Sequence, residues 1–218
     1  MPDLMQIYQR LLEHYGHRHW WPAETPFEVA IGAILTQNTN WGNVEKAIIN
    51  LRRAEALKVE SILTLDKESL EQLIRSSGFF RQKAERLQLF CQHLRQFHQG
   101  RLEVLLQQPL AIARRELLTL KGIGPETADS ILLYAGQRPS FVVDAYTGRL
   151  FGRLGHLEGA EKYAQIRDFF MARLPQEVPL FNEYHALVVI HGKECCRKRP
   201  ICSNCPLQSR CRYRQQNP

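Results

Sequence analysis

The stretch Leu117 to Asp144, LLTLKGIGPETADSILLYAGQRPSFVVD, constrains the fold of this chain more than any other. Two short segments with helical apolar spacing flank Lys121-Gly122-Ile123-Gly124, and an apolar run then ends in the carboxylate of Asp144. The two glycines predict a tight reversal between helices, because glycine enters conformations closed to other residues and lets backbone N–H groups meet a ligand unobstructed. Pro125 suits the first turn of the second helix, where its missing N–H is not needed. A helix opened this way offers free amides and the positive end of its dipole to an anion, and a DNA phosphate is the natural candidate. A helical hairpin with no ligand uses the same residues, so the hairpin alone leaves both readings standing.

Apolar spacing predicts helices for most of the chain. Leu4, Ile7, Leu11 and Leu12 mark one that ends near Gly16; Phe27, Ala30, Ile31, Ile34 and Leu35 mark a second, opening at Thr25 or Pro26, with a wide buried face. The polar run Gln37-Asn38-Thr39-Asn40 precedes a third helix from about Trp41 to Arg53, and a short pair covers Ser61 to Arg75. Gly78-Phe79-Phe80 is a turn into a long helix reaching about His98, whose apolar stripe places Cys91 with Ala84, Leu87 and Leu94 as a small core residue. Helices from Leu110 to Leu120 and from Pro125 to Ala135 flank the hairpin. Phe141-Val142-Val143 is too short for a helix, and Asp144 is well placed to cap Ala145 to Leu154. Two further helices fall at about Ala160 to Leu174 and Leu180 to Gly192. No alternating strand pattern persists, so the expected class is all-α.

With 218 residues, 44% of them hydrophobic, the chain can bury a sizeable core in one domain or two closely packed lobes. No stretch reads as a membrane span or a secretory signal, which predicts a cytoplasmic protein without a membrane partner. The net charge of +7 is unevenly distributed. From His191 onward Lys193, Arg197, Lys198, Arg199, Arg210, Arg212 and Arg214 face one acid, Glu194, so the tail holds nearly all the excess. Such a patch suits nucleic acid, although a solvated basic tail has the same composition.

Five of the six cysteines share that tail, and Cys195, Cys202, Cys205 and Cys211 are spaced C-x6-C-x2-C-x5-C. Four thiolates this close can surround a metal centre, and both zinc and a 4Fe–4S cluster use four cysteines. Disulfides are disfavoured in a reducing compartment. Cys196 could take the place of Cys195 or stand by.

Together the hairpin LKGIGPETAD, the VVD ending at Asp144 and the cysteine spacing resemble the helix-hairpin-helix DNA glycosylases of the endonuclease III type. The resemblance runs from about Trp20 to the last cysteine. It implies an all-α, two-lobed fold: residues 22–137 as a six-helix lobe carrying the hairpin, and 1–21 with 138–218 as a second lobe ending in the cluster loop. It also implies a 4Fe–4S cluster on Cys195, Cys202, Cys205 and Cys211, double-stranded DNA containing a damaged base as the partner of a monomer, and a nucleoid association through that DNA. In endonuclease III a lysine stands where this chain has Glu126. Glutamate cannot form a Schiff base, so a monofunctional glycosylase using water is expected, although a first-turn glutamate is also favoured simply by the helix dipole. Lys121, Lys83 and Lys46 are other amines that could substitute. Trp20-Trp21-Pro22, Leu35-Thr36-Gln37-Asn38-Thr39, Gly78-Phe79, Gln82-Lys83-Ala84, Ala128-Asp129 and His191-Gly192-Lys193 are similar to bacterial 3-methyladenine glycosylases of this type.

On this resemblance Asp144 is the catalytic carboxylate, opposing positive charge on the deoxyribose as the N-glycosidic bond breaks. Phe79 matches the wedge that enters the base stack, and Gln37 the residue that fills the vacated space. Lys121, Gly122, Ile123 and Gly124 hold phosphate. Trp20, Trp21 and Trp41 are candidates for a base pocket, because an alkylated purine is cationic and favours aromatic faces. Oxidised pyrimidines or mismatched bases are alternative substrates, and a non-catalytic DNA-binding iron–sulfur protein is the alternative from another class.

Overall fold

The computed structural model describes residues 3–18, 20 and 23–217, and every regular element among them is helical. Two compact units divide the chain: Trp21–Arg138, and Met1–Trp20 together with Pro139–Pro218.

The Trp21–Arg138 unit is built on α2 (Pro26–Leu35), in which every residue after Pro26 is buried. The sequence predicts one wide apolar face; the helix is instead surrounded, packing on α3 (Trp41–Arg53), α6 (Phe80–Phe97) and the turn Ile131–Ala135. Its start is fixed by Thr25, whose hydroxyl accepts from the Glu28 N–H at 3.1 Å, and by Pro26 in the first turn. The short helices α4 (Val59–Thr64) and α5 (Lys67–Leu73) lie along α6, where Leu87, Phe90, Cys91 and Leu94 are almost fully buried. The apolar spacing does not announce α7 (Leu102–Leu106), which is one turn long yet buries Leu102, Leu105 and Leu106. The hairpin joins α8 (Leu110–Thr119) to α9 (Pro125–Ser130), which continues as a π-helical turn over Ile131–Ala135.

The other unit gathers α1 (Leu4–Tyr15), α10 (Ala145–Leu154), α11 (Tyr163–Met171), α12 (Val178–Glu194) and α13 (Arg212–Gln216). Its core is aromatic. Phe141 stacks on Phe170 with ring centroids 4.2 Å apart, Phe151 meets Phe170 edge-on at 4.7 Å, and Tyr184 donates to the Leu4 carbonyl at 2.8 Å. Such ring pairs contribute about 0.5–1.5 kcal/mol beyond area burial. Phe141, Val142 and Val143 are non-helical and buried, and they deliver the chain to Asp144 at the start of α10. At Gly192 on α12 an added Cβ would lie 2.3 Å from the Tyr146 ring, so only glycine permits this approach of α10.

Candidate active site and cysteine cluster

The hairpin reverses at Gly122, with φ +84°, a region that favours glycine. Gly124 does not share that need: its φ is −85°, its ψ is 176°, and an added Cβ would meet nothing within 4 Å. What Gly124 provides is an exposed, uncovered backbone at the head of α9. Ile123 is 95% buried and anchors the loop from inside, while Lys121 is exposed and its Nζ donates to Glu85 at 2.6 Å. The two helices are pinned by a bidentate pair: Arg114 donates through Nε and Nη2 to the two oxygens of the fully buried Asp129, at 2.8 and 2.9 Å. Glu126 stands exposed in the first turn of α9.

Gln37 is drawn onto this hairpin. Its Nε2 donates to the Gly122 carbonyl at 2.9 Å and to Thr127 Oγ1 at 3.0 Å, and its Oε1 accepts from Arg86. Phe79 has the opposite character. It adopts a left-handed conformation (φ 46°, ψ 31°) just before α6 and is 64% exposed. A large aromatic gains nothing locally from that backbone, which costs on the order of 1–2 kcal/mol, or from that exposure. Lys83 holds the turn: wholly buried, it donates through Nζ to the Ser77 carbonyl at 2.6 Å and to the Leu35 carbonyl at 2.8 Å, tying the segment before Phe79 to the segment before Gln37. Burial, with the nearby Arg86 charge, pushes its pKa down to about 8. This lysine shares the inward face with Leu87, Phe90 and Leu94, a spacing that was visible in the sequence. Arg86 and Thr127 had no such signal.

Asp144 caps α10 through a reciprocal box. Its Oδ1 accepts from the Thr147 N–H at 2.7 Å and the Thr147 hydroxyl at 2.9 Å, and its own N–H donates to Thr147 Oγ1 at 3.3 Å. Its Oδ2 faces His185 Nε2 of α12 at 3.6 Å. Burial works to raise the carboxyl, but the facing His185 and the donors of Thr147 outweigh it, so Asp144 titrates below its ordinary range and is ionised at neutral pH. Sequence reasoning found Asp144 and missed His185, which lies among apolar residues on a buried helix.

Of the tryptophans, Trp41 opens α3 and borders a groove with Ile48, Ile49, Glu24, Glu28, Glu45 and Arg52, in which Arg52 pairs with Glu28 at 2.8 Å and Glu24 at 3.2 Å. Trp20 is half-buried at the edge of the other unit, and Trp21 lies outside the described residues.

Cys195, Cys202, Cys205 and Cys211 line one small cavity, walled by Leu150, Leu154 and Leu207. Burial first, and then the neighbouring thiols of Cys205, Cys196 and Cys202, push Cys195 up to about 12; burial likewise raises Cys205. Thiols crowded in an apolar cavity resist becoming thiolates until a cationic centre joins them, so the donor set fits a metal cluster. His191 is also near: its Nε2 is 3.8 Å from Cys205 Sγ and its Nδ1 is hydrogen-bonded to the Tyr15 hydroxyl at 3.0 Å. Cys196 lines the same cavity, and its Sγ accepts from Arg153 at 3.2 Å. The cysteine loop is fastened to α10 by Arg149, which donates to the Cys196 carbonyl at 2.8 Å and the Gly192 carbonyl at 3.1 Å.

Residues 31–176 match the model of the HhH-GPD superfamily of base excision DNA repair proteins. A protein of Methanocaldococcus jannaschii provisionally named a DNA repair glycosylase is 48% identical over 210 residues, covering 95% of each chain. Among solved structures, 3-methyladenine DNA glycosylase of H. pylori bound to 1,N6-ethenoadenine aligns with TM-score 0.79 and 28% identity, over 88% of this chain and 98% of that one. A non-covalent endonuclease III–DNA complex aligns with TM-score 0.85 and 25% identity, over 99% and 98%. The chain belongs to the HhH-GPD superfamily of base excision DNA repair proteins, as a DNA glycosylase.

Proposed function

We propose that this glycosylase is monofunctional and excises alkylated purines, chiefly 3-methyladenine, from double-stranded DNA by hydrolysis. The observation that carries the reaction type is Glu126, exposed in the first turn of α9 where endonuclease III carries its lysine. Of the amines that could substitute, Lys83 is buried on two carbonyls, Lys121 makes an exposed pair with Glu85, and Lys46 lies exposed on α3; none occupies the position of Glu126. Asp144, ionised and held by Thr147, then opposes the positive charge that builds on the deoxyribose as the N-glycosidic bond breaks. A carboxylate of lowered pKa is a weak proton acceptor, so its work is electrostatic more than general base catalysis. Phe79 enters the stack to expel the base, and the amides of Gly122 and Gly124 hold phosphate with Lys121 nearby. Gln37 reaches DNA only by releasing three hydrogen bonds, and we assign it first to bracing the hairpin.

The alkylpurine substrate is supported by the likeness to 3-methyladenine glycosylase and by the Trp41 groove, where an aromatic ring and carboxylates suit a cationic base. Trp20 and Trp21 are candidates for base contact on the sequence resemblance alone. The likeness to endonuclease III favours a second reading on the same scaffold, oxidised pyrimidines. A 4Fe–4S cluster on Cys195, Cys202, Cys205 and Cys211 would cross-link the C-terminal loop and partly neutralise its basic flanks. The protein would act as a cytoplasmic, nucleoid-associated monomer; among the described residues no helix is long and apolar enough to cross a membrane. Borohydride added during turnover tests the reaction type. No covalent protein–DNA adduct is expected, and an adduct at any lysine would overturn the monofunctional assignment.

A further inference from the structure

Away from the residues assigned above, one polar cluster in the Trp21–Arg138 unit has the make-up of a metal site. His93, on the last turns of α6, and His98, just beyond its end, both turn Nε2 toward one oxygen of Glu116 on α8, at 2.6 and 2.5 Å. The other oxygen of Glu116 accepts from Gln108 Nε2 at 2.6 Å, which fixes the carboxylate with Oε1 toward the histidines. The three converging atoms all lie within 4.8 Å of one another. We propose that His93, His98 and Glu116 bind a zinc ion.

The chemistry follows from the donors. Two imidazoles crowd one carboxylate oxygen, each needing an Nε2 proton to do so. A single dication takes the place of both protons, with the ring protons moving to Nδ1 and three electron pairs then facing one centre. Two histidines and one carboxylate with a fourth position for water is a common zinc set, and imidazole nitrogens select against calcium and magnesium. Donors at about 2.0–2.1 Å from a tetrahedral zinc stand roughly 3.3 Å from each other, so opening the present hydrogen bonds by less than about 1 Å suffices. Gln108 supplies the outer hydrogen bond that orients the ligating carboxylate. An entry path exists because His93 is 16% and Glu116 22% exposed, whereas His98 is nearly closed. The ion would tie the far end of α6, the helix that begins behind Phe79, to α8, the helix that leads into the hairpin.

The test uses the cluster-containing protein, dialysed against a zinc chelator with its iron content monitored, and then equilibrated with zinc chloride alone. One zinc per chain is expected, with X-ray absorption at the zinc edge showing nitrogen and oxygen neighbours and no sulfur. Gln108→Ala should weaken binding about 10-fold, and His98→Asn or Glu116→Gln by at least 100-fold. Zinc should raise Tm in the wild type and not in the His93→Gln, His98→Asn double variant. No zinc uptake, sulfur in the coordination shell, or equal uptake by the double variant would each overturn the site. The absorption measurement needs only the wild-type protein, so it decides even if the variants fold poorly.

Discussion

At Asp144 the helix cap and the proposed chemistry ask for the same group. Oδ1 closes the cap of α10 through Thr147, while Oδ2 faces His185. Asparagine caps a helix nearly as well as aspartate but carries no charge. Asp144→Asn should therefore keep Tm close to wild type while base release falls by at least about 100-fold; parallel melting and single-turnover excision measurements check both. Because the folded carboxyl lies below its ordinary 3.8, its contribution to stability is present above that pH and is lost as pH falls through the folded value, so no titration of Asp144 should appear in the excision rate above about pH 4. Phe79 separates fold from function in another way. Phe79→Gly relieves the left-handed strain while loosening the unfolded chain, leaving stability within about 1 kcal/mol of wild type, yet excision from duplex DNA should drop. Asp144, Phe79 and the cysteines were legible because their signals lie within a few neighbouring residues. His185, Arg86 and Thr127 were not, since each acts on a partner tens of residues away in the chain.

Among the elements, α6 does the most positioning. It begins behind Phe79 and carries Lys83 and Arg86, which reach the backbone and side chain of the Leu35–Gln37 segment. Lys83 makes a pH-dependent contribution whose sign is opposite to that of a salt-bridged lysine. Its folded pKa of about 8 is below the ordinary 10.5, so between these values the unfolded chain binds the extra proton and stability rises with pH. Lys83→Met should flatten that rise in urea-unfolding free energies measured from pH 8 to pH 10.5, and a persisting rise would assign it to another group. The long helices were readable from periodicity, as was the cap at Asp144. α7 was not, because one helical turn gives no period to detect, and the full enclosure of α2 was not, because its sequence shows only where apolar residues recur. The hairpin was half legible: Gly122 is required by its backbone angle, whereas Gly124 is explained only by what it leaves uncovered.

For the whole molecule, family and fold class follow from the hairpin, the helical architecture and the matched relatives, while the lesion rests on the proposed pocket, whose candidate residues come from separate stretches of sequence. Trp41 borders the groove proposed for the base, and the sequence marked it as one of three large aromatics. In the proposed reading the hairpin and the basic tail would each add a salt-dependent, sequence-independent attraction for phosphate, which holds DNA without choosing the lesion. Substrate choice and reaction type are read together by incubating the protein with duplexes carrying 3-methyladenine, an oxidised pyrimidine or a mismatch, and treating half of each sample with hot alkali. The expected result is release of 3-methyladenine with strand breaks only after alkali; breaks without alkali, or release of oxidised pyrimidine and not 3-methyladenine, would contradict it.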